Sequence, residues 1–170
     1  MTISELIKLI EQWAIDRGLD KNGTVEGQLI KTAEEVAELI IGISKDDIDV
    51  IKDSVGDVFV TLVIGNMIDK NLDLLEICQR VGRSSTMHPK RKFDLIYFLN
   101  GSLHSLLAAE SYTNLELSFL LESLLDVCDW YELDFVECVE SAYSEIANRK
   151  GVVRNGTFWK SEDLEKWEEE

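Results

Sequence analysis

Two acidic clusters separated by a short stretch are the residues of this chain best suited to chemistry. The first is Glu34, Glu35 and Glu38, and the second is Asp53 and Asp57 in the run Asp53-Ser54-Val55-Gly56-Asp57. At 100° per residue, Leu29, Ala33, Val36, Ala37 and Ile40 fall on one side of a helix, while Gln28, Lys31, Glu35 and Glu38 fall on another. Asp57 is the only ionisable residue between Val55 and Ile68. Its neighbours one turn away on a helix are Asp53, Ser54, Val60 and Thr61, with Ile64 two turns on, so it sits on a largely apolar face. An ionised carboxylate buried there without a partner is costly or reverts to the neutral acid, so the pattern calls for a cation or a metal ion. If the two helices pack antiparallel across the turn at Ser44–Asp49, their carboxylates converge. Oxygen ligands from Glu35, Glu38, Asp53 and Asp57, with no His or Cys nearby, describe a site for a hard cation, Mg²⁺ or Mn²⁺.

A Glu-Glu-x-x-Glu helix followed by an acidic-x-x-x-Asp in a Gly-Asp-apolar context resembles the MazG-like all-α nucleoside triphosphate pyrophosphohydrolases. The resemblance extends to Trp13-Ala14-Ile15-Asp16-Arg17-Gly18-Leu19 and to the segment from Ala142 to Gly151. One position departs: the family usually has Glu three residues before the Asp, where this chain has Ser54, and Asp53 on nearly the same face is the substitute. The resemblance implies Mg²⁺-dependent hydrolysis of a nucleoside or deoxynucleoside triphosphate between the α and β phosphorus, giving the monophosphate and pyrophosphate. It also implies that Glu35, Glu38, Asp57 and Asp53 hold the metal, with Glu34 or another motif carboxylate as base. An aromatic from the first helix, Trp13, would close the base pocket, and Arg149 and Lys150 would face the triphosphate. The residues alone leave other readings open. Trp13 also reads as a core aromatic, and Arg149 and Lys150 as cations compensating a helix C-terminus. Gln28 and Lys31 lie on the carboxylate edge, where Lys31 either meets a phosphate or pairs with Glu34 or Glu35.

The elements that must position these groups are helical. The chain has 170 residues, 45% of them hydrophobic, and one proline, which together point to an all-α globular protein with material for one compact domain or two very small ones, and a single domain is the expectation. Helix one is predicted from Thr2 to Arg17, stopped by Gly18, then a loop at Asp20–Gly23, then a second helix capped by Thr24. A third is expected over about Asp46–Ile68 and a short one over Leu72–Cys78. The segment from Arg80 to Lys92 holds the only proline, Pro89, with a basic set including His88, Lys90, Arg91 and Lys92. It reads as a linker, set at residues 82–92.

Beyond it the chain echoes itself. Leu133-Asp134-Phe135-Val136-Glu137-Cys138 repeats the pattern of Leu72-Asp73-Leu74-Leu75-Glu76-Ile77, and Ser102 and Ser105 stand where the first copy has Glu35 and Glu38. Asn114 and Ser118 likewise take the places of Asp53 and Asp57 on a helix expected over Leu115–Trp130. The expected organisation is therefore a MazG-like helical bundle: a catalytic unit at 1–81, a degenerate second unit at 93–150, and a tail at 151–170. A last helix is expected over Glu137–Asn148. Asn155-Gly156 between apolar residues signals a hairpin turn and a short C-terminal β-ribbon. The acidic end, Ser161–Glu170, carries no functional signal.

Bulk properties exclude several classes. A net charge of −16, with no basic stripe to offset it, argues against direct nucleic-acid binding, whereas a divalent cation can bridge an acidic protein to a triphosphate. Cys78, Cys128 and Cys138 form no metal spacing and no disulfide framework, and no apolar run reaches membrane-spanning length, so a cytoplasmic protein is expected. A carboxylate-bridged redox bundle requires Glu-x-x-His, which neither His88 nor His104 supplies. The alternative to the hydrolase is a non-catalytic acidic helical interaction module. Homo-oligomers through surface aromatics such as Trp159 are also open.

Overall fold

Thr2 accepts a hydrogen bond from the Glu5 backbone N–H at 3.3 Å while the Glu5 carboxylate accepts from the Thr2 backbone N–H at 2.8 Å. This reciprocal cap starts α1 (Ile3–Asp16), whose apolar side buries Leu6, Ile7, Ile10, Trp13 and Ala14. The computed structural model describes residues 1–69, 72–82 and 88–161. After Gly18 the segment expected as a loop instead makes one helical turn, α2 (Leu19–Asn22), closed by the Gly23 N–H on the Leu19 carbonyl at 2.9 Å. Burial of Leu19 pulls this turn against the body of the protein.

Thr24 caps α3 (Val25–Lys45) through a 3.1 Å hydrogen bond from the Gly27 N–H. Asp46, expected to begin the next helix, instead ends α3 in a left-handed conformation at φ 53°. Its carboxylate is held by Lys92 Nζ at 2.5 Å and the Tyr131 hydroxyl at 3.0 Å. The short connection folds α4 (Ile48–Asp69) back along α3, and these two helices form the most extensive contact among the described elements. Buried positions run almost all round α4 from Val55 to Asn66, as expected of a helix enclosed by neighbours. Those neighbours are α1, α2, α3, α7 (Asn114–Tyr131) and α8 (Phe135–Ile146).

A second helical hairpin pairs α6 (Lys92–Ala109) with α7, and α6 also lies on α3. Each hairpin is followed by a short helix with an Asp cap. Asp73 accepts from the Glu76 N–H to start α5 (Leu74–Val81), and Asp134 accepts from the Glu137 N–H to start α8. α8 packs on α4 and α5 packs on α7, so the helix after each hairpin covers the second helix of the other hairpin. α8 stops at Ile146 rather than Asn148, because the Arg17 guanidinium collects the carbonyls of Ala147 and Arg149 at 3.1 and 2.8 Å. The chain then makes an antiparallel ribbon of β1 (Gly151–Arg154) and β2 (Thr157–Lys160), with Arg154 opposite Thr157 and Gly151 opposite Lys160. Asn155 and Gly156 form the turn at φ 52° and 81°, as a two-residue hairpin needs. The Gly156 carbonyl accepts from the Thr24 N–H at 3.1 Å, which docks the ribbon on the start of α3.

Part of the expected linker, residues 83–87, and the acidic end, residues 162–170, lie outside the described residues. Within the described part of the linker, Arg91 pairs with Asp94 and Lys92 with Asp46, so these cations act as local structure at the start of α6. Among the described residues, no helix is long and apolar enough to cross a membrane. Cys78, Cys128 and Cys138 are free thiols.

α8 packs closely on α4 at Gly56, where an added Cβ would lie 2.4 Å from the Cys138 carbonyl oxygen. Alanine there gains up to about 1 kcal/mol of helix propensity, but overpacking against backbone costs about 3 kcal/mol. Gly56→Ala is therefore expected to lower the melting temperature, and an unchanged melting curve would show that the two helices can part without cost.

Candidate functional site

The first two acidic helices meet where the sequence pattern requires. Glu35 and Glu38 from α3 and Asp53 and Asp57 from α4 line one open cavity of about 250 Å³. Glu38 and Asp53 are exposed at its wall, Asp57 is half-buried and Glu35 is buried. Ser54, one residue from Asp53, is buried and does not line the cavity, so on α4 it is Asp53 that shares the cavity with Asp57.

Cations make a second part of the lining, beside the acids. Lys31, Arg149 and Lys160 line the same cavity. Lys31 Nζ lies 2.7 Å from Glu34 and 2.9 Å from Glu35, so its ion pairs and its place in the cavity coexist. Burial opposes the Lys31 charge, but these two carboxylates prevail and its pKa is raised. Arg149 pairs with Glu145, another lining residue. Glu34, expected here as a possible base, is exposed and does not line the cavity, because its position on α3 turns it outward to Lys31. Lys150 is a second correction: it is exposed and borders a neighbouring surface depression with Asn148, Arg149 and Ser161 instead.

The third side of the cavity is apolar and is made by Trp13, Leu19, Val60, Ile64 and Phe158. Trp13 is at once a packed and a lining residue. Its indole N–H donates to the Ile146 carbonyl at 2.7 Å, its ring meets Phe158 edge-on at 5.1 Å, and the Arg17 guanidinium lies 4.4 Å over it. Gln28 is buried at this side, and among the described residues its side-chain amide makes no hydrogen bond. Thr61, also lining, belongs to a buried hydroxyl chain. Thr32 Oγ1 lies 3.0 Å from Thr61 Oγ1, 2.9 Å from the Gln28 carbonyl and 3.1 Å from the Tyr112 hydroxyl. Tyr112 comes from the α6–α7 connection, where Asp69 accepts from its N–H at 2.7 Å, and it fills the space over Gly65 of α4.

Sequence reasoning missed Leu19, Glu145, Ile146, Phe158 and Lys160 as lining residues, as well as Arg17 and Tyr112 as supports, while Val60, Thr61 and Ile64 were legible only as neighbours of Asp57 on its helix face. The turn at Asn155-Gly156 was the signal that could have brought Phe158 and Lys160 back toward Thr24 and the start of α3. Nothing local marks Tyr112, whose partner Thr32 is 80 residues away.

Charge crowding sets the chemistry. Burial pushes the Asp57 carboxyl up to about 7, with Glu35 and Asp53 adding to the shift and Arg149 only partly opposing it. Burial, with Glu145 and Glu35 beside it, raises Asp53 as well. The donor set is all oxygen and short of positive charge, which suits a hard divalent cation. Among the described residues, however, no three Asp, Glu, His or Cys side chains are gathered closely enough to hold a metal ion as they stand. Glu35 is instead engaged by Lys31.

A carboxyl whose pKa is about 7 when folded, against 3.8 as its ordinary value, favours the folded state while protonated and loses that contribution as pH rises through the folded value. In the presence of a chelator, stability of the wild-type protein is therefore expected to fall from about pH 4 to pH 7 relative to Asp57→Asn. Melting temperature against pH for both proteins checks this. Parallel curves would mean that Asp57 is fully compensated by cations in the fold.

No family model matches the chain, and no solved structure does. A relative found by sequence is an uncharacterized 18.2 kDa protein from the rep-hol intergenic region of Haemophilus phage HP1 (strain HP1c1). It is 53% identical over 62 residues, which is 36% of this chain and 38% of that protein. The chain therefore matches well under half the length of that relative, whose printed description assigns no activity.

Proposed function

We propose that this chain is a nucleoside triphosphate pyrophosphohydrolase, converting a nucleoside or deoxynucleoside triphosphate to its monophosphate and pyrophosphate. The observation that supports this reading is one cavity with three chemically distinct sides: five carboxylates, of which Glu145 is paired with Arg149, three cations, and an apolar wall that carries the Gln28 amide. Those sides suit, in turn, a divalent cation, a phosphate chain and a base. Glu35, Glu38, Asp53 and Asp57 would hold Mg²⁺ or Mn²⁺, which when bound polarises the phosphates and lowers the pKa of an attacking water. Lys31, Arg149 and Lys160 bind and orient the phosphates, and Lys31 can do so by exchanging its pairing with Glu34 and Glu35. Trp13, Leu19 and Phe158 take a face of the base, with the Gln28 amide available to its polar edge. With Glu34 turned out of the cavity, proton acceptance falls to a carboxylate that lines it.

In this reading the α6–α7 hairpin is a degenerate copy of α3–α4. Its serines are consumed by internal bonds. Ser102 Oγ lies 2.8 Å from Ser123 Oγ, Ser105 donates to Glu116, and Ser118 lies between the Asn114 carbonyl and Arg80. Free thiols, the acidic charge and the lack of a spanning helix among the described residues suit a cytoplasmic enzyme acting on nucleotides rather than on nucleic acid.

Pyrophosphate release from a panel of canonical and modified triphosphates with Mg²⁺ tests the proposal. Asp57→Asn and Glu38→Gln are expected to lower turnover by about 100-fold or more, the scale for losing a positioned catalytic charge. Asp53→Asn should weaken the apparent Mg²⁺ affinity while Ser54→Ala changes little, and the reverse order would move the fourth ligand to Ser54. No turnover of any triphosphate would favour the acidic interaction module instead.

A further inference from the structure

Large apolar side chains of the second hairpin stand uncovered, away from the cavity. Phe93 is 62% exposed and Tyr97 65%, and Phe119 lines the same groove as Tyr97. At 100° per residue, Phe93, Tyr97, Asn100, Gly101, His104 and Ala108 fall on one face of α6, and all six are exposed. Between Asp94 and Glu110 the helix carries no Asp, Glu, Lys or Arg, although the chain has a net charge of −16. Monomeric proteins seldom leave a patch of this kind open to water.

We infer that this face is a two-fold interface on which a second copy of the chain lays its own α6 antiparallel across Gly101. The face is complementary to itself in that arrangement. Centring the crossing between Asn100 and Gly101 sets Phe93 against Ala108 of the second copy, Tyr97 against His104, and Asn100 against Gly101, so each large group meets a small or flat one. A Cβ added at Gly101 would meet nothing within 4 Å in the single chain, and this gap is what admits the second helix. Beside it, a groove of about 480 Å³ between α6 and α7, walled by Tyr97 and Phe119, receives the aromatic ring of the copy. The ends are complementary in charge as well. Arg91, stacked on Phe93 with its guanidinium 5.4 Å from that ring, comes level with Glu110 at the far end of the copy's helix, and the two helix dipoles run in opposition. An acid-free face is also where two copies of so acidic a chain repel each other least. Trp159, the surface aromatic singled out in the sequence, is half-buried with the Arg154 guanidinium 5.9 Å from its ring, and so offers less surface than α6.

Sedimentation of the full chain at high micromolar concentration is expected to show a dimer, with no larger species because a two-fold contact closes on itself. Gly101→Leu should weaken the dimer about 100-fold, since the inserted side chain overpacks the crossing from both copies. Its circular dichroism should be unchanged, because the side chain has room in the single chain. Oxidation of Asn100→Cys should cross-link two chains through the thiol introduced in each. Ala108→Cys should not, because antiparallel helices hold those positions about 22 Å apart along the axis. A monomeric wild type, a dimer indifferent to Gly101→Leu, a larger assembly, or cross-linking at both cysteine positions would each overturn the inference.

Discussion

A carboxylate carried into the middle of an apolar helix has to be compensated, and the architecture around Asp57 is arranged about that demand. α4 is covered on nearly all sides, so Asp57 reaches water only through the cavity rather than across an open helix face as an acid on an amphipathic helix would. The groups that reach it first are other carboxylates, Glu35 and Asp53, and together with burial they push its pKa to about 7. Arg149 opposes them only in part. A crowd of acids with a partial counter-charge is poorly stable in isolation, and such arrangements persist where a ligand completes the balance.

The structure invests heavily in keeping that counter-charge in place. Arg149 lies just past α8, in a segment that would fray if its carbonyls were left to water. Arg17 prevents this by binding the carbonyls of Ala147 and Arg149 while lying over the Trp13 ring. Trp13 adds its own bond to Ile146. The ribbon then returns Phe158 and Lys160 to the same cavity, anchored by Gly156 on Thr24. One cation stacked on one aromatic thus ties the apolar and charged sides of the cavity into a single rigid piece.

The second hairpin supplies no lining residue to the cavity but supports it. Its serines are engaged by each other, by backbone carbonyls, by Glu116 and by Arg80, whereas Tyr112 crosses into the first hairpin and braces Thr32, and through it Thr61 and the Gln28 carbonyl. Its outer face is then left uncovered by the other described elements, and the large exposed aromatics of α6 follow from that division of labour.

How much of this was legible in the sequence depends on the range of the interaction involved. Helices, caps and the Asn155-Gly156 turn follow from periodicity and local hydrogen bonds, and these held to within a few residues at most boundaries. The convergence of Glu35, Glu38, Asp53 and Asp57 on one cavity was readable too, because a short connection leaves α3 and α4 only one way to pack. Asp46 and residues 19–22 were misread locally, since a left-handed cap and a buried Leu19 answer to packing rather than to propensity. The tertiary structure alone decided that Glu34 faces outward to Lys31, that Lys150 misses the cavity, and that Arg17, Lys160 and Tyr112 belong to the site. Beyond Glu34, the deciding contacts join residues far apart in the chain, and a side chain's direction across such a gap is set by which helices pack together, which no local pattern encodes.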